Sequence, residues 1–164
     1  MKKIKLTQGK YALVDDADFE TVSKYKWYAQ NMGTGQPLWY AARSTWKNGK
    51  KGIIKMHRFI MGFPSSSLDI DHIDQNGLNN QKSNLRVVSH LQNMANGRTS
   101  RSNTSGFKGV SFNGHKWVAQ SKDRGVQNYL GSFENKIDAA IIYDMFVLLR
   151  HGEFAQTNIL KAIH

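Results

Sequence analysis

The sequence predicts an α+β fold built as two small modules, and three observations carry that expectation. Residues 1–63 alternate short apolar and polar runs rich in aromatics, the signature of short, half-buried strands. Residues 107–133 repeat that texture around two turn signals, Asn113-Gly114 and Asp123-Arg124-Gly125, and a helical stretch follows. Between them, residues 97–106 read Gly-Arg-Thr-Ser-Arg-Ser-Asn-Thr-Ser-Gly, a polar run without an acid and a natural linker. The expected parts are a first module over residues 1–97, a basic flexible linker over 98–104 and a second module over 105–164. With 164 residues, 40% of them hydrophobic, the chain can bury a core in each.

In chain order, Tyr11–Val14, Tyr25–Tyr28, Leu38–Ala42 and Gly52–Lys55 read as strands, with Asn48-Gly49 as a hairpin turn. Met56–Met61 reads as a short helix ended by Gly62 and Pro64. Leu68–Ile70 is a strand that delivers Asp71 and His72 to its end. Residues 73–83 are turn formers, Asn84–Val88 returns as a strand, and Ser89-x-x-Gln92 is a capping box that starts a helix. In the second module Phe107–Phe112, Lys116–Lys122 and Gln127–Phe133 form three strands. A helix runs from about Lys136 to His151, capped by Asn135 and closed by Gly152. Its apolar positions Ile137, Ala140, Ile141, Met145 and Leu148 are read as the core stripe. One amphipathic helix over three strands leaves one sheet face free.

Composition narrows the function. Lys and Arg number 23 against 12 Asp and Glu, a net charge of +11, which favours a polyanionic partner and above all nucleic acid. Arg98 and Arg101 in the linker are candidates to touch phosphate. Cys is absent, which excludes disulfides, thiolate zinc sites and cysteine nucleophiles. No run approaches the ~20 apolar residues of a membrane span, and no segment pairs a cationic with an apolar face. The basic start lacks the apolar core of a signal peptide. A cytoplasmic, non-secreted protein is expected.

The chemistry concentrates between Leu68 and Gly97. The strand–loop–strand–helix order can bring Asp71, His72, Asn84 and Asn93 together. Neutral His72 suits a general base. Asp71 offers a hard oxygen, and Asn93 a carbonyl oxygen, to a divalent cation that keeps water and phosphate as its other ligands. Asn84 can hold the loop by side-chain hydrogen bonds and so fix the His72 ring. The same residues also suit a chance Asp-His pair in an Asn-rich turn. His57 is expected to be a hydrogen-bonded structural histidine.

As a set, Asp71-His72, the Asn-rich loop 76–80, Asn84-Leu85-Arg86 and Asn93 resemble the HNH endonucleases, or ββα-metal nucleases, in particular the small enzymes of phages and mobile introns. Gly9–Asp16, Tyr25–Tyr28 and Met56-His57-Arg58 extend the likeness over residues 5–97. The resemblance implies a ββα-metal fold with His72 as general base, Asn84 as positioning residue, and Asp71 and Asn93 as ligands to a divalent metal, Mg²⁺ or else Mn²⁺. Asn96 replaces Asn93 if the helix register is shifted.

Gly106–Val110, Lys116–Ala119, Tyr129–Phe133, Asp138–Ala140, Tyr143-Asp144 and Asn158 resemble the ethylene-response-factor (Apetala-like) DNA-binding domains, which read the major groove with a three-stranded sheet. That resemblance carries DNA contacts over to Lys108, Lys116, Gln120, Lys122 and Tyr129. Ser111, where the plant proteins have Arg, and Tyr129, where they have Trp, depart from it. Trp117, Phe107 and Phe133 are expected in the core. Together the resemblances imply a metal-dependent, site-directed endonuclease of double-stranded DNA, of the homing type, that nicks or cleaves. It would act as a monomer without a protein partner. The rival reading is a non-catalytic, sequence-specific DNA-binding regulator with a relic nuclease fold; an RNA-binding module is a third.

Overall fold

The computed structural model describes residues 1–33, 37–95, 97, 99, 102–123 and 125–160. The chain forms two compact units, Met1–Ser89 and His90–His164. The fold is mixed, with several small antiparallel sheets and few helices. No helix among the described residues is long and apolar enough to cross a membrane.

The first unit opens with an antiparallel pair, β1 (Lys2–Lys5) and β2 (Tyr11–Val14), whose alternation buries Ile4, Ala12 and Val14. Helix α1 (Asp16–Ser23) follows, with Asp16 and Asp18 in its first turn, where acids meet the positive end of the helix dipole. The sequence reading missed both β1 and α1. In α1 only Val22 is buried, so no apolar stripe marks it.

A three-stranded sheet comes next, with β4 (Trp39–Lys47) between β3 (Tyr28–Asn31) and β5 (Lys50–Lys55). The expected strand at Tyr25–Tyr28 begins only at Tyr28. The Trp27 indole donates to the Val22 carbonyl at 2.9 Å, which turns this segment back onto α1 before it can extend. Asn48 and Gly49 both take positive φ, as the tight β4–β5 hairpin requires. Helix α2 (Met56–Ile60) leaves β5 directly, and Met56 seals the core with Val14, Val22, Trp27 and Ala41.

Strands β6 (Leu68–His72) and β7 (Leu85–Ser89) close the unit as an antiparallel pair, with Asp71 opposite Arg86 and His72 opposite Leu85. The Arg58 guanidinium donates to the carbonyls of Leu68, Pro64 and Ser65, fixing the approach to β6. The loop joining the two strands is anchored twice. Leu13 of β2 exchanges backbone bonds with Leu78 and Asn80, each 2.8 Å. The Asp15 carboxylate accepts from the Lys82 amide at 2.8 Å and from Gln81 Nε2 at 3.1 Å.

The second unit opens with α3 (His90–Ala95). Its sheet has β9 (Trp117–Asp123) between β8 (Val110–Phe112) and β10 (Val126–Phe133), and α4 (Lys136–His151) packs on it. The first of these strands starts later than expected because Gly109 takes φ +74°, outside the strand region. The Asn135 side chain caps α4, accepting from the Ile137 amide at 2.8 Å, and Gly152 ends it at φ +53°. Trp117, Phe107 and Phe133 pack on the core, as expected.

The core stripe of α4 differs from its reading. Ala139, Ala140, Tyr143, Asp144 and Val147 are buried, whereas Ile137 is 39% and Met145 49% exposed. Small Ala139 and Ala140 let the helix sit close to the sheet, and the Tyr143 ring fills the space at Gly109, where a Cβ would fall 2.1 Å away. Asp144, wholly buried, accepts from the amides of Asn158, Ile159 and Leu160 at 2.6–2.9 Å. Asn158 in turn bonds both backbone groups of Lys108.

Candidate functional site

His72 ends β6, and Asp71 precedes it on the opposite face of the strand. Both are buried, as is Asn84 just before β7. The Asp71 carboxylate lies against Arg86, its cross-strand neighbour: Nε and Nη2 reach Oδ2 at 2.9 and 2.8 Å. Two charges this poorly hydrated need each other, so Arg86 fixes the carboxylate as well as neutralising it.

Asn84 latches the loop that follows His72. Its side chain accepts from the Asp74 amide at 3.0 Å and donates to Asp74 Oδ1 and the Asn79 carbonyl, both at 2.9 Å. Its carbonyl accepts from Ile73 at 3.0 Å. The Asp74 carboxylate also accepts from the Asn76 amide and Asn79 Nδ2 at 2.8 Å. Partial burial pushes Asp74 up, but these bonds outweigh it and hold the carboxyl below its ordinary range. The chain on both sides of His72 is therefore fixed, on one side by the sheet and on the other by Asn84.

His72 is not alone. The His57 ring, in the first turn of α2, meets it edge-on with centroids 5.1 Å apart. Tyr40 of β4 packs against both, at 5.6 Å from His57 and 5.7 Å from His72. Gly77 in the loop has no side chain because Trp39 O and the Tyr40 ring occupy that space, 2.4 and 2.6 Å from where a Cβ would stand. Lys55, the last residue of β5, stands opposite Ala42 and reaches diagonally to Tyr40, its Nζ 4.9 Å from the ring centroid.

Burial decides the charge of both imidazoles. It pulls His57 down to about 3, with the neighbouring charges of His72, Lys55 and Arg58 adding to the effect. Burial also lowers His72, helped by Lys55 and opposed by Asp74, Asn80 and Asp71. Both rings are neutral at pH 7. By distance and angle, His72 Nε2, His57 Nδ1 and the Asn80 amide have no hydrogen-bond partner among the described residues; Asn80 stands close enough to His72 to favour its charged form without a formed bond. The expectation of a hydrogen-bonded His57 is thus corrected at Nδ1: the ring packs against His72 and Tyr40 and leaves that nitrogen unspent. His57, Tyr40, Lys55 and Asn80 complete a cluster of which the sequence reading named His57 and, within the loop 76–80, Asn80. The motif Met56-His57-Arg58 was the available signal.

The donors suit a hard cation better than a caged one. Asp71 is a single buried carboxylate, and no group of three His, Asp or Glu side chains among the described residues could enclose a metal ion. That set is too sparse for a structural zinc site and fits a Mg²⁺-like ion that keeps water and phosphate ligands. Asn93 lies half-buried on α3, in the second unit.

In the second unit Gln120 stands opposite Tyr129 and Lys122 opposite Gln127, so Gln120, Lys122 and Tyr129 share the sheet face away from Ala119 and α4. Tyr129 is 67% exposed. Lys116 precedes β9 and pairs with Glu134 at 2.9 Å, both well exposed. Lys108 is different: mostly buried, it donates to the Gly97 carbonyl at 2.5 Å, and burial lowers its ammonium to about 8. Arg98, Arg101 and Asn96 lie outside the described residues.

Residues 61–95, which span β6, the loop, β7 and α3, match the HNH endonuclease family. A protein of Acanthamoeba polyphaga mimivirus called an uncharacterized HNH endonuclease is 35% identical over 156 residues, covering 92% of this chain and 76% of its own. Protein 3.8 of Escherichia phage T7 is 38% identical over 89 residues, 53% of this chain and 73% of that protein. No solved structure matches the chain.

Proposed function

The chain belongs to the HNH endonuclease family, and from that premise we propose that it is a metal-dependent, site-directed endonuclease of duplex DNA with His72 as general base. The observation that carries this reading is the state of His72. The ring is buried and neutral, its loop is latched by Asn84, and Nε2 has no hydrogen-bond partner among the described residues. In the tautomer that carries its proton on Nδ1, the ring would offer the Nε2 lone pair to an attacking water.

In the proposed reaction the water oxygen bonds to phosphorus, its proton passes to His72, and the P–O3′ bond breaks. The departing oxygen takes a proton from solvent, leaving a 3′-hydroxyl and a 5′-phosphate. Asp71 would hold the divalent ion, Mg²⁺ or Mn²⁺. When bound, that ion would supply positive charge to the phosphate and the leaving oxygen. Arg86 orients the Asp71 carboxylate, and Asn84 positions the His72 loop. His57 and Tyr40 wall the base from bulk water.

The second unit is proposed to tether the enzyme to its site. Gln120, Lys122 and Tyr129 on one exposed sheet face support a contact with the major groove, as in the Apetala-like domains, with Lys116 and Lys108 beside it. Arg98 and Arg101 would add phosphate contacts. A net charge of +11 supports a polyanionic substrate. Action as a monomer, in the homing of a mobile element, is part of the same proposal.

Nicking of supercoiled plasmid tests it. The wild-type chain should relax plasmid with Mg²⁺ or Mn²⁺ and stop when the metal is chelated, and His72→Ala should be inactive while still binding DNA. Unchanged nicking by His72→Ala would remove the mechanism, and a wild-type chain that binds but never nicks would favour the regulator.

A further inference from the structure

The site holds one more cation than the proposed mechanism uses. Arg86 is spent on Asp71, with two contacts to the same oxygen. Lys55 is half-buried, and no carboxylate pairs with it among the described residues. Its position follows from the fold. It ends β5, two residues before His57, and its cross-strand partner is Ala42. That small neighbour lets the long side chain lean along the diagonal to Tyr40, whose ring also touches His57 and His72. The ammonium therefore stands over the one aromatic wall shared by both imidazoles. Its charge reaches both of them, opposing protonation of each.

An uncompensated, partly desolvated ammonium acts more strongly on a nearby anion than the same group in water. In this site the anion that comes and goes is the phosphate. We propose that Lys55 is a catalytic residue that contacts a non-bridging oxygen of the scissile phosphate and stabilises the charge that builds there as water attacks. This rests on the nuclease reading above and adds to it a protein-borne cation, distinct from the divalent ion and from the base. The Tyr40 ring holds the lysine ammonium above it, and Ala42 leaves the room the side chain needs.

The test uses the full chain, single-turnover cleavage of duplex DNA and three proteins: wild type, Lys55→Met and Lys55→Arg. Methionine keeps an unbranched side chain beside Tyr40 and removes the ammonium with its charge and donors. Lys55→Met should cleave about 100-fold more slowly, the range for loss of one preorganised electrostatic contact, while its DNA affinity changes less than about threefold, as for one phosphate contact among many. Lys55→Arg should recover at least about a tenth of the wild-type rate.

Once end-labelling locates the cut, a neutral methylphosphonate at that bond removes the charge that Lys55 would meet. On that substrate the wild type and Lys55→Met should differ by no more than about threefold, against about 100-fold on the natural linkage. Equal rates for wild type and Lys55→Met on natural DNA would overturn the inference and leave the nuclease reading standing. The same penalty on both linkages, or Lys55→Arg no faster than Lys55→Met, would overturn it too. A wild-type chain that cleaves nothing would overturn both.

Discussion

Acid should unfold this protein through His57, and the size of the effect follows from where the ring sits. Only 5% of His57 is exposed, and burial holds its imidazole at about 3 rather than the ordinary 6.5. The unfolded chain takes up this proton as pH falls through 6.5, and the folded chain does so only near 3. The unfolded state then binds more protons, so stability is complete above pH 6.5 and is lost progressively towards pH 3. At about 1.4 kcal/mol for each pH unit below the ordinary value, the loss reaches about 2 kcal/mol by pH 5. The perturbation is His57→Phe, which keeps a ring against Tyr40 and His72 but cannot take the proton. Denaturant unfolding of both proteins at pH 7 and pH 5, followed by tryptophan fluorescence, gives the comparison. Carboxylates titrate alike in the two proteins and cancel. The wild type should lose about 2 kcal/mol more than the variant over this interval; equal losses would refute the account of His57 as a buried neutral ring.

Three further outcomes are expected. Asn84→Ala removes three hydrogen bonds, two of them to Asp74. It should cost about 3 kcal/mol at roughly 1 kcal/mol each, and nicking should fall even well below the melting temperature; a stable variant with the wild-type rate would show that the latch does not position His72. Gly77→Ala sets a methyl 2.4 Å from Trp39 O and 2.6 Å from the Tyr40 ring. It should destabilise by about 1–3 kcal/mol, and an unchanged thermal midpoint would contradict that packing. DNA affinity should fall with salt on a log–log slope of about −0.9 for each phosphate neutralised, and a flat response would contradict the charge argument.

Legibility in the sequence tracked how local the physics was. The helix α4 and its two caps were readable because Asn135 and Gly152 act on neighbours two to four residues away. The Asn48-Gly49 and Asn113-Gly114 turns were readable for the same reason. Helix α1 was not, since it owes its place to Asp15 holding Gln81 and Lys82, 66 and 67 residues further along the chain. Of the α4 stripe only Ala140 was read correctly; Ala139, Tyr143, Asp144 and Val147 were missed, because a small residue and a buried polar one are weak signals of burial. In the site, Asp71, His72 and Asn84 stood out as a motif. Arg86 lay inside the same motif, yet its pairing with Asp71 depends on strand register. His57, Tyr40 and Lys55 come to His72 from three other elements, α2, β4 and β5, and nothing local in the sequence announces that meeting.

The carboxylate of Asp144 gives the last described residues a part in holding the second unit together. Asn158, Ile159 and Leu160 supply the amides that surround it, and the Asn158 side chain adds a bond of 3.1 Å while tying down Lys108. A chain shortened after residue 157 would leave the buried Asp144 side chain without those donors, at a cost of several kcal/mol. The segment after the final helix is therefore an internal plug and not a dispensable tail, and affinity handles or fusions belong beyond it.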